Sequence, residues 1–268
     1  MYINTNTGSL IARNSMRIND NDLSKAMQRL STGLRINNSS DDAAGLAISE
    51  RMKAQSTGMT QAYRNAQDGI SLIQTAEGAL GTTSDILQRM RELSVQADNG
   101  TYSDTDKTSI KAEMDLLVNE IDHISQTTSF NGMSLLNADT SLDLHISDKF
   151  DDTISVSLLN ADSTTLGVNA LNVSTDAQGA ISAIDDALNK VSSARADLGA
   201  TQSRLNFISD NLQINIQNTE ASKSRISDAD MAEESSNLTK SQILSQSSLA
   251  MLGKANQAPQ GVLQLLQG

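Results

Sequence analysis

Leu23, Met27, Leu30 and Leu34 recur at spacings of four, three and four, which sets them on one face of a helix. The pattern stops at Asn37, Asn38, Ser39 and Ser40, whose side chains compete with the backbone for hydrogen bonds and favour turns. Asp41 and Asp42 then put negative charge where a helix N-terminus attracts it. The pattern predicts a terminal helix, a break, and a second helix that starts at once. Met52, Met59, Ala66, Ile73, Leu80 and Leu87 then repeat every seven residues, with Ala62, Ala76 and Met90 on a second seam. One helix over 44–98 is predicted, about 80 Å long at 1.5 Å per residue. Gly58, Gly69, Gly78 and Gly81 lie beside the stripe and suggest close approach of a neighbouring helix.

"DNGTYSD" at 98–104 reads as a turn about Asn99-Gly100, with Ser103 or Asp104 capping the next helix. Ile110, Met114, Leu117, Ile121 and Ile124 give that helix its apolar stripe, and "SFNGMSLLN" ends it at a second Asn-Gly turn, 131–132. The period then changes. Leu142, Leu144 and Ile146 alternate with Asp143, His145 and Ser147, and Ile154, Val156 and Leu158 alternate with Ser155 and Ser157. Period two on either side of "SDKFDD" predicts a β-hairpin, and "TLGVNALNVS" adds extended chain. Helix returns near Asp176, with Ile184, Val191, Leu198, Leu205 and Leu212 again seven apart. "SRISDADMAEE" at 224–234 mirrors the first break, with charge at Asp228 and Asp230. A weaker amphipathic stretch follows through Met231, Leu238, Leu249 and Leu252 to "GVLQLLQG".

The order of elements is thus palindromic. It predicts a mainly α fold: an elongated antiparallel helical rod or coiled coil with a small β-hairpin insert and paired terminal helices. Residues 1–40 with 231–268 form a terminal coiled-coil domain, and 41–230 a rod domain with the hairpin region at about 138–176.

Composition supports long helices over a spherical core. The 268 residues include one proline, no tryptophan and six aromatic residues, yet 38% are hydrophobic. The net charge of −12 is unevenly placed: five Arg or Lys against two Asp in 1–40, two Lys against two Glu in 231–268, and therefore −15 in 41–230. An acidic middle with near-neutral ends argues against nucleic-acid binding. No apolar run reaches the roughly 18 residues of a membrane helix, so no membrane insertion is expected. The start, "MYINTNTGSL", lacks the basic, apolar and small-residue regions of a cleaved secretory signal.

Chemistry finds no foothold. The absence of cysteine removes thiolate nucleophiles, disulfides and Cys-based zinc sites. His123 and His145 sit on polar faces, apart from other ligands, so neither metal nor cofactor is expected. HExxH, Walker A, GxSxG and GxGxxG patterns are absent. Asp41/Asp42, Asp151/Asp152 and Glu233/Glu234 read as helix-start or loop charges rather than a catalytic pair. No enzyme is expected. Assembly is the alternative, because the thin apolar stripes of 1–36 and 231–268 offer little burial against an ordering cost of about 1–2 kcal/mol per residue. Those ends should order only among neighbouring copies, with Leu23, Met27, Leu30, Leu34, Met231, Leu238, Leu249 and Leu252 at the subunit interface.

Several blocks, in order, resemble bacterial flagellins: "LSTGLRINNSSDDAAGLAIS" at 30–49, "ISLIQTAEGAL" at 70–80, "RMRELSVQ" at 89–96, "FNGMSLLN" at 130–137, "ARADLGATQSRL" at 194–205 and "SRISDADMAEESSNLTKSQIL" at 224–244. The chain resembles a minimal form without the outer domains that many members carry. The resemblance implies a homopolymer, the extracellular flagellar filament, exported through the flagellum's own channel without a cleaved signal. It implies an export chaperone, cap and hook-associated proteins as partners. It also implies a patch, Arg89, Leu93 and Glu113, that packs subunits axially and is read by a Toll-like receptor. A hook–filament junction protein shares the terminal helices, and a non-flagellar coiled-coil scaffold is the reading of another class.

Overall fold

The computed structural model describes residues 5–150 and 152–267, with side chains described as far as residue 257. The first four residues of "MYINTNTGSL", Asp151 and the side chains of "GVLQLLQG" lie outside that description. Among the described residues the chain is mainly helical. The order is α1 (Thr7–Thr32), α2 (Ala43–Asp98), α3 (Asp104–Thr127), β1 (Ser129–Phe130), β2 (Met133–Ser134), β3 (Thr140–His145), β4 (Thr153–Leu158), α4 (Ser163–Leu166), α5 (Ala177–Ser227) and α6 (Met231–Gln267). The chain divides into two compact units. One, the core unit, is Thr57–Gln217; the terminal unit takes the residues up to Ser56 and those from Asn218. These divisions fall inside α2 and α5, further from the ends than the breaks near 40 and 230.

The core unit follows the heptads. Ala66, Ile73, Leu80 and Leu87 of α2 are buried with Ile184, Val191, Leu198 and Leu205 of α5, each large side chain worth roughly 1.5–3 kcal/mol. Helices α2 and α5 run antiparallel here, tied by Gln67 to Ser209 (3.0 Å) and by Arg91 to Asp185 (2.7 Å). Helix α3 adds Ile110, Met114 and Ile121. It starts on a capping box: the Ser103 hydroxyl accepts from the Asp106 backbone N–H, and the Asp106 carboxylate accepts from the Ser103 N–H.

The hairpin has the register that alternation demands. Leu142 faces Val156 and Leu144 faces Ile154. Ile154, Val156 and Leu158 are buried while the residues between them are exposed. The Asn-Gly turn after α3 closes a second, two-residue hairpin, β1–β2, with positive φ at both Asn131 (50°) and Gly132 (79°).

Two expectations change. "TLGVNALNVS" is not extended: Ser163–Leu166 forms one helical turn ended by left-handed Gly167 (φ 84°), and Leu166, Val168 and Val173 turn into the core. The glycines beside the α2 stripe do not mark a helix seam as such. A Cβ at Gly69 would overlap Leu144 of the hairpin, and one at Gly58 would meet Asp148 in the β3–β4 loop, whereas Gly78 and Gly81 have nothing within 4 Å. A helix without side chains at 58 and 69 lets a strand pair lie against it, a packing that helical periodicity does not encode.

Candidate assembly surface

In the terminal unit the two polar breaks meet. Gly33 ends α1 in the left-handed conformation (φ 72°). The chain then pairs with the end of α5: Arg35 N–H donates to Ser227 O (2.7 Å), Ala229 N–H donates to Gly33 O (3.0 Å), and Leu34 and Asp228 form an antiparallel bridge. The Asp41 carboxylate accepts from the backbone N–H groups of Asn37 (3.2 Å) and Asn38 (3.1 Å), which holds its pKa below the ordinary aspartate value. Asp42 caps α2 through Gly45 N–H (2.8 Å), and Asp230 caps α6 through Ala232 N–H (2.8 Å). The break therefore stops one helix, ties it to the second break and starts the next.

Helices α1 and α6 lie antiparallel along a heptad seam. On α1 the covered positions include Ser9, Ala12, Met16, Asn19, Leu23, Ala26 and Leu30; on α6 they include Leu238, Ser241, Ser245, Ser248, Leu252 and Ala255. Only five of these side chains are large and apolar. Polar bonds replace the missing bulk. Asn6 donates to Ala255 O (2.7 Å), Asn19 to Ser248 (2.9 Å), Ser245 to Asp20 (3.0 Å), and Arg29 pairs with buried Glu234 (3.4 Å).

A second set of bulky apolar residues points outward. Ile11 is 68% exposed, Ile243 61% and Met251 63%, with Leu10, Ile18 and Leu244 also exposed. Ile11, Ala12, Leu244 and Met251 line a surface groove of ≈ 470 Å³. A seam filled largely by small side chains, with a second apolar row left on the surface, runs against the arrangement of a helix pair that stands alone in water.

The predicted interface residues divide accordingly. Met27, Leu34, Met231 and Leu249 are exposed, whereas Leu23, Leu30, Leu238 and Leu252 are half-buried in the intrachain seam. Periodicity missed Leu10, Ile11, Ile18, Ile243, Leu244 and Met251. The signal that finds them is Ser241, Ser245 and Ser248 at seam spacing, which leaves the larger side chains on the outer faces.

In the core unit, Arg89 donates to Glu113 (2.9 Å) and to Glu92 (3.2 Å), and all three are exposed. Glu113 first, then Glu92, raises the Arg89 guanidinium above its ordinary pKa. Leu93, expected in the same patch, is 2% exposed and belongs to the core cluster, so it lies beneath the surface that Arg89 and Glu113 present. Both histidines are exposed, and among the described residues no cluster of three His, Asp or Glu is placed to hold a metal. No described helix is long and apolar enough to cross a membrane.

Helix ends that place their apolar bulk outside define a structural subunit made to be covered by other chains. Comparison with known proteins gives the family. Residues 3–141 match the bacterial flagellin N-terminal helical region and residues 181–266 the bacterial flagellin C-terminal helical region. Flagellin of Halalkalibacterium halodurans is 49% identical over 273 residues, and that of Bacillus subtilis 44% over 304, each alignment covering all of both chains. The crystal structure of Bacillus cereus flagellin superposes with a TM-score of 0.51 at 36% identity, covering 56% of this chain and 88% of that one. A protein described as a flagellar hook-associated protein from Vibrio parahaemolyticus shares the fold, with a TM-score of 0.60 at 14% identity over 70% of this chain and all of that one. The chain belongs to the bacterial flagellin family and is a structural subunit of the flagellar filament.

Proposed function

We propose that this subunit polymerises by burying the outward apolar faces of α1 and α6 against the same faces of neighbouring copies, and that residues 1–40 and 231–268 become fully ordered only then. The observation that carries this is the apolar row left open on the helix pair, Ile11, Ile243 and Met251, beside a seam in which serines and alanines take places that larger side chains could fill. A pair so built gains little by itself against backbone ordering. Many copies side by side remove the exposed area from water at roughly 25 cal/mol per Å². Ile11→Asp and Ile243→Asp should each abolish elongation from filament seeds while cooperative unfolding of the core unit stays at the parent temperature. Normal elongation by both variants would refute the reading.

The C-terminal segment, 231–268, is the one that an export chaperone would hold before secretion through the flagellum's own channel. The cap and hook-associated proteins would meet the terminal helices at the filament's two ends. Chaperone binding should then require 231–268 and tolerate deletion of the hairpin. On the core unit, Arg89 and Glu113 would form the exposed part of a patch that packs subunits axially and that a Toll-like receptor would exploit in the monomer, with Leu93 supporting it from below. Arg89→Ala should weaken receptor signalling by monomer; unchanged signalling would remove the receptor from this account.

A further inference from the structure

We propose that Met27, Met231 and Met251 form an oxidation-sensitive set through which peroxide blocks incorporation of the free subunit. The inference rests on the assembly surface above and adds a chemistry to it. With no cysteine in the chain, methionine is the one side chain left with oxidisable sulfur. Burial sorts the methionines. Met59, Met90 and Met114 are at most 4% exposed in the core unit. Met27 (49%), Met231 (50%) and Met251 (63%) are open, and all three lie on α1 or α6. Met133 (46%), in the small β1–β2 hairpin, is equally open but lies off these helices, so the molecule supplies its own control.

The step balances without a protein catalyst. A thioether lone pair attacks one peroxide oxygen, the O–O bond breaks and an S=O bond forms. Sulfur loses two electrons, and the peroxide leaves as water. The product is a polar sulfoxide where the chain presents an apolar side chain for burial. Met251 lines the groove beside Ile11 and Leu244, so its sulfoxide puts a strong dipole where the subunit presents apolar surface for burial. A subunit already in the polymer has these sulfurs covered and is protected. A reductase specific for methionine sulfoxide restores the monomer.

The test treats purified full-length monomer with hydrogen peroxide, maps sulfoxides by mass spectrometry and measures elongation from seeds. Sulfoxides should appear at Met27, Met231, Met251 and Met133 before Met59, Met90 and Met114. The critical concentration should rise on the order of tenfold per buried sulfoxide, equivalent to about 1.4 kcal/mol. Thermal unfolding of the core unit should not move, and sulfoxide reductase should return elongation to the untreated level. Leucine matches methionine in volume, so M27L/M231L/M251L should elongate normally after peroxide, whereas Met133→Leu should stay sensitive. If the triple variant elongates poorly untreated, Met251→Leu alone should cut the peroxide effect. Unimpaired elongation of oxidised parent chain, or full peroxide sensitivity of the leucine variants, would overturn the proposal.

Discussion

At the scale of single residues, burial separates positions that hold the core from positions that wait for a partner. Leu87 is fully buried between helices, so Leu87→Ala leaves a cavity and should cost about 2–5 kcal/mol in chemical denaturation of the monomer. Leu249→Ala, on an exposed surface, should change monomer stability by less than about 0.5 kcal/mol and show its effect in polymerisation. Gly33 is a third kind of position. Nothing crowds it, yet its φ of 72° lies where a Cβ is strained, so Gly33→Ala should destabilise the terminal unit by roughly 1–2 kcal/mol. Hydrogen exchange at Arg35 and Ala229, whose N–H groups close the paired breaks, would report it.

At the scale of elements, carboxylates set the response to acid. Asp41 in the first break and Asp106 in the α3 capping box both have pKa values lowered by the hydrogen bonds they accept, Asp41 from Asn37 and Asn38, Asp106 from Ser103. A lowered carboxylate contributes stability that is fully present above the ordinary value of 3.8 and is lost as pH falls through the lower folded value. The break and the α3 start should therefore loosen together below about pH 4, seen as faster amide exchange there than in mid-α2.

Asp162 behaves oppositely. The hydrogen bond with Asp122 comes first among the causes, then burial, and together they raise its pKa. Its contribution is present below 3.8 and lost as pH rises through the higher folded value. Burial alone would also raise Asp122, but hydrogen bonds involving Asp162 and Ser163 outweigh it and lower the value. At neutral pH the two charges oppose each other, so Asp162→Asn should raise the unfolding temperature at pH 7. The gain should vanish at pH 3, where protonated Asp162 in the parent already donates.

At the scale of the whole molecule, residues 41–230 retain every heptad stripe of the core unit and a net charge of −15. Deleting 1–40 and 231–268 should leave a helical, cooperatively unfolding monomer that forms no filaments. The full-length chain should gain helicity and lose protease cleavage at its ends on assembly. Filaments from the truncated chain, or ends equally protected in monomer and filament, would contradict this. Electron microscopy and limited proteolysis are the deciding measurements.

Elements with many identical periods were legible from the sequence. The α2 and α5 stripes, the alternation of β3 and β4, an α3 cap at Ser103 or Asp104 and helix-starting charge at Asp41 and Asp42 follow from local spacing, because each depends on backbone geometry within a few residues. So did family membership, through several ordered blocks. Other features depended on which surfaces meet. Leu93 looked like a patch residue until packing took it into the core. Leu23 and Leu30, expected at an interface between copies, are already half-buried in the seam of their own chain. Gly69 had no visible partner until Leu144 arrived from a strand about 75 residues away in the sequence. Periodicity shows that a helix has an apolar face. Whether that face turns toward its own chain or toward another is decided by how the helices pack, because the hydrophobic effect rewards removal from water without direction.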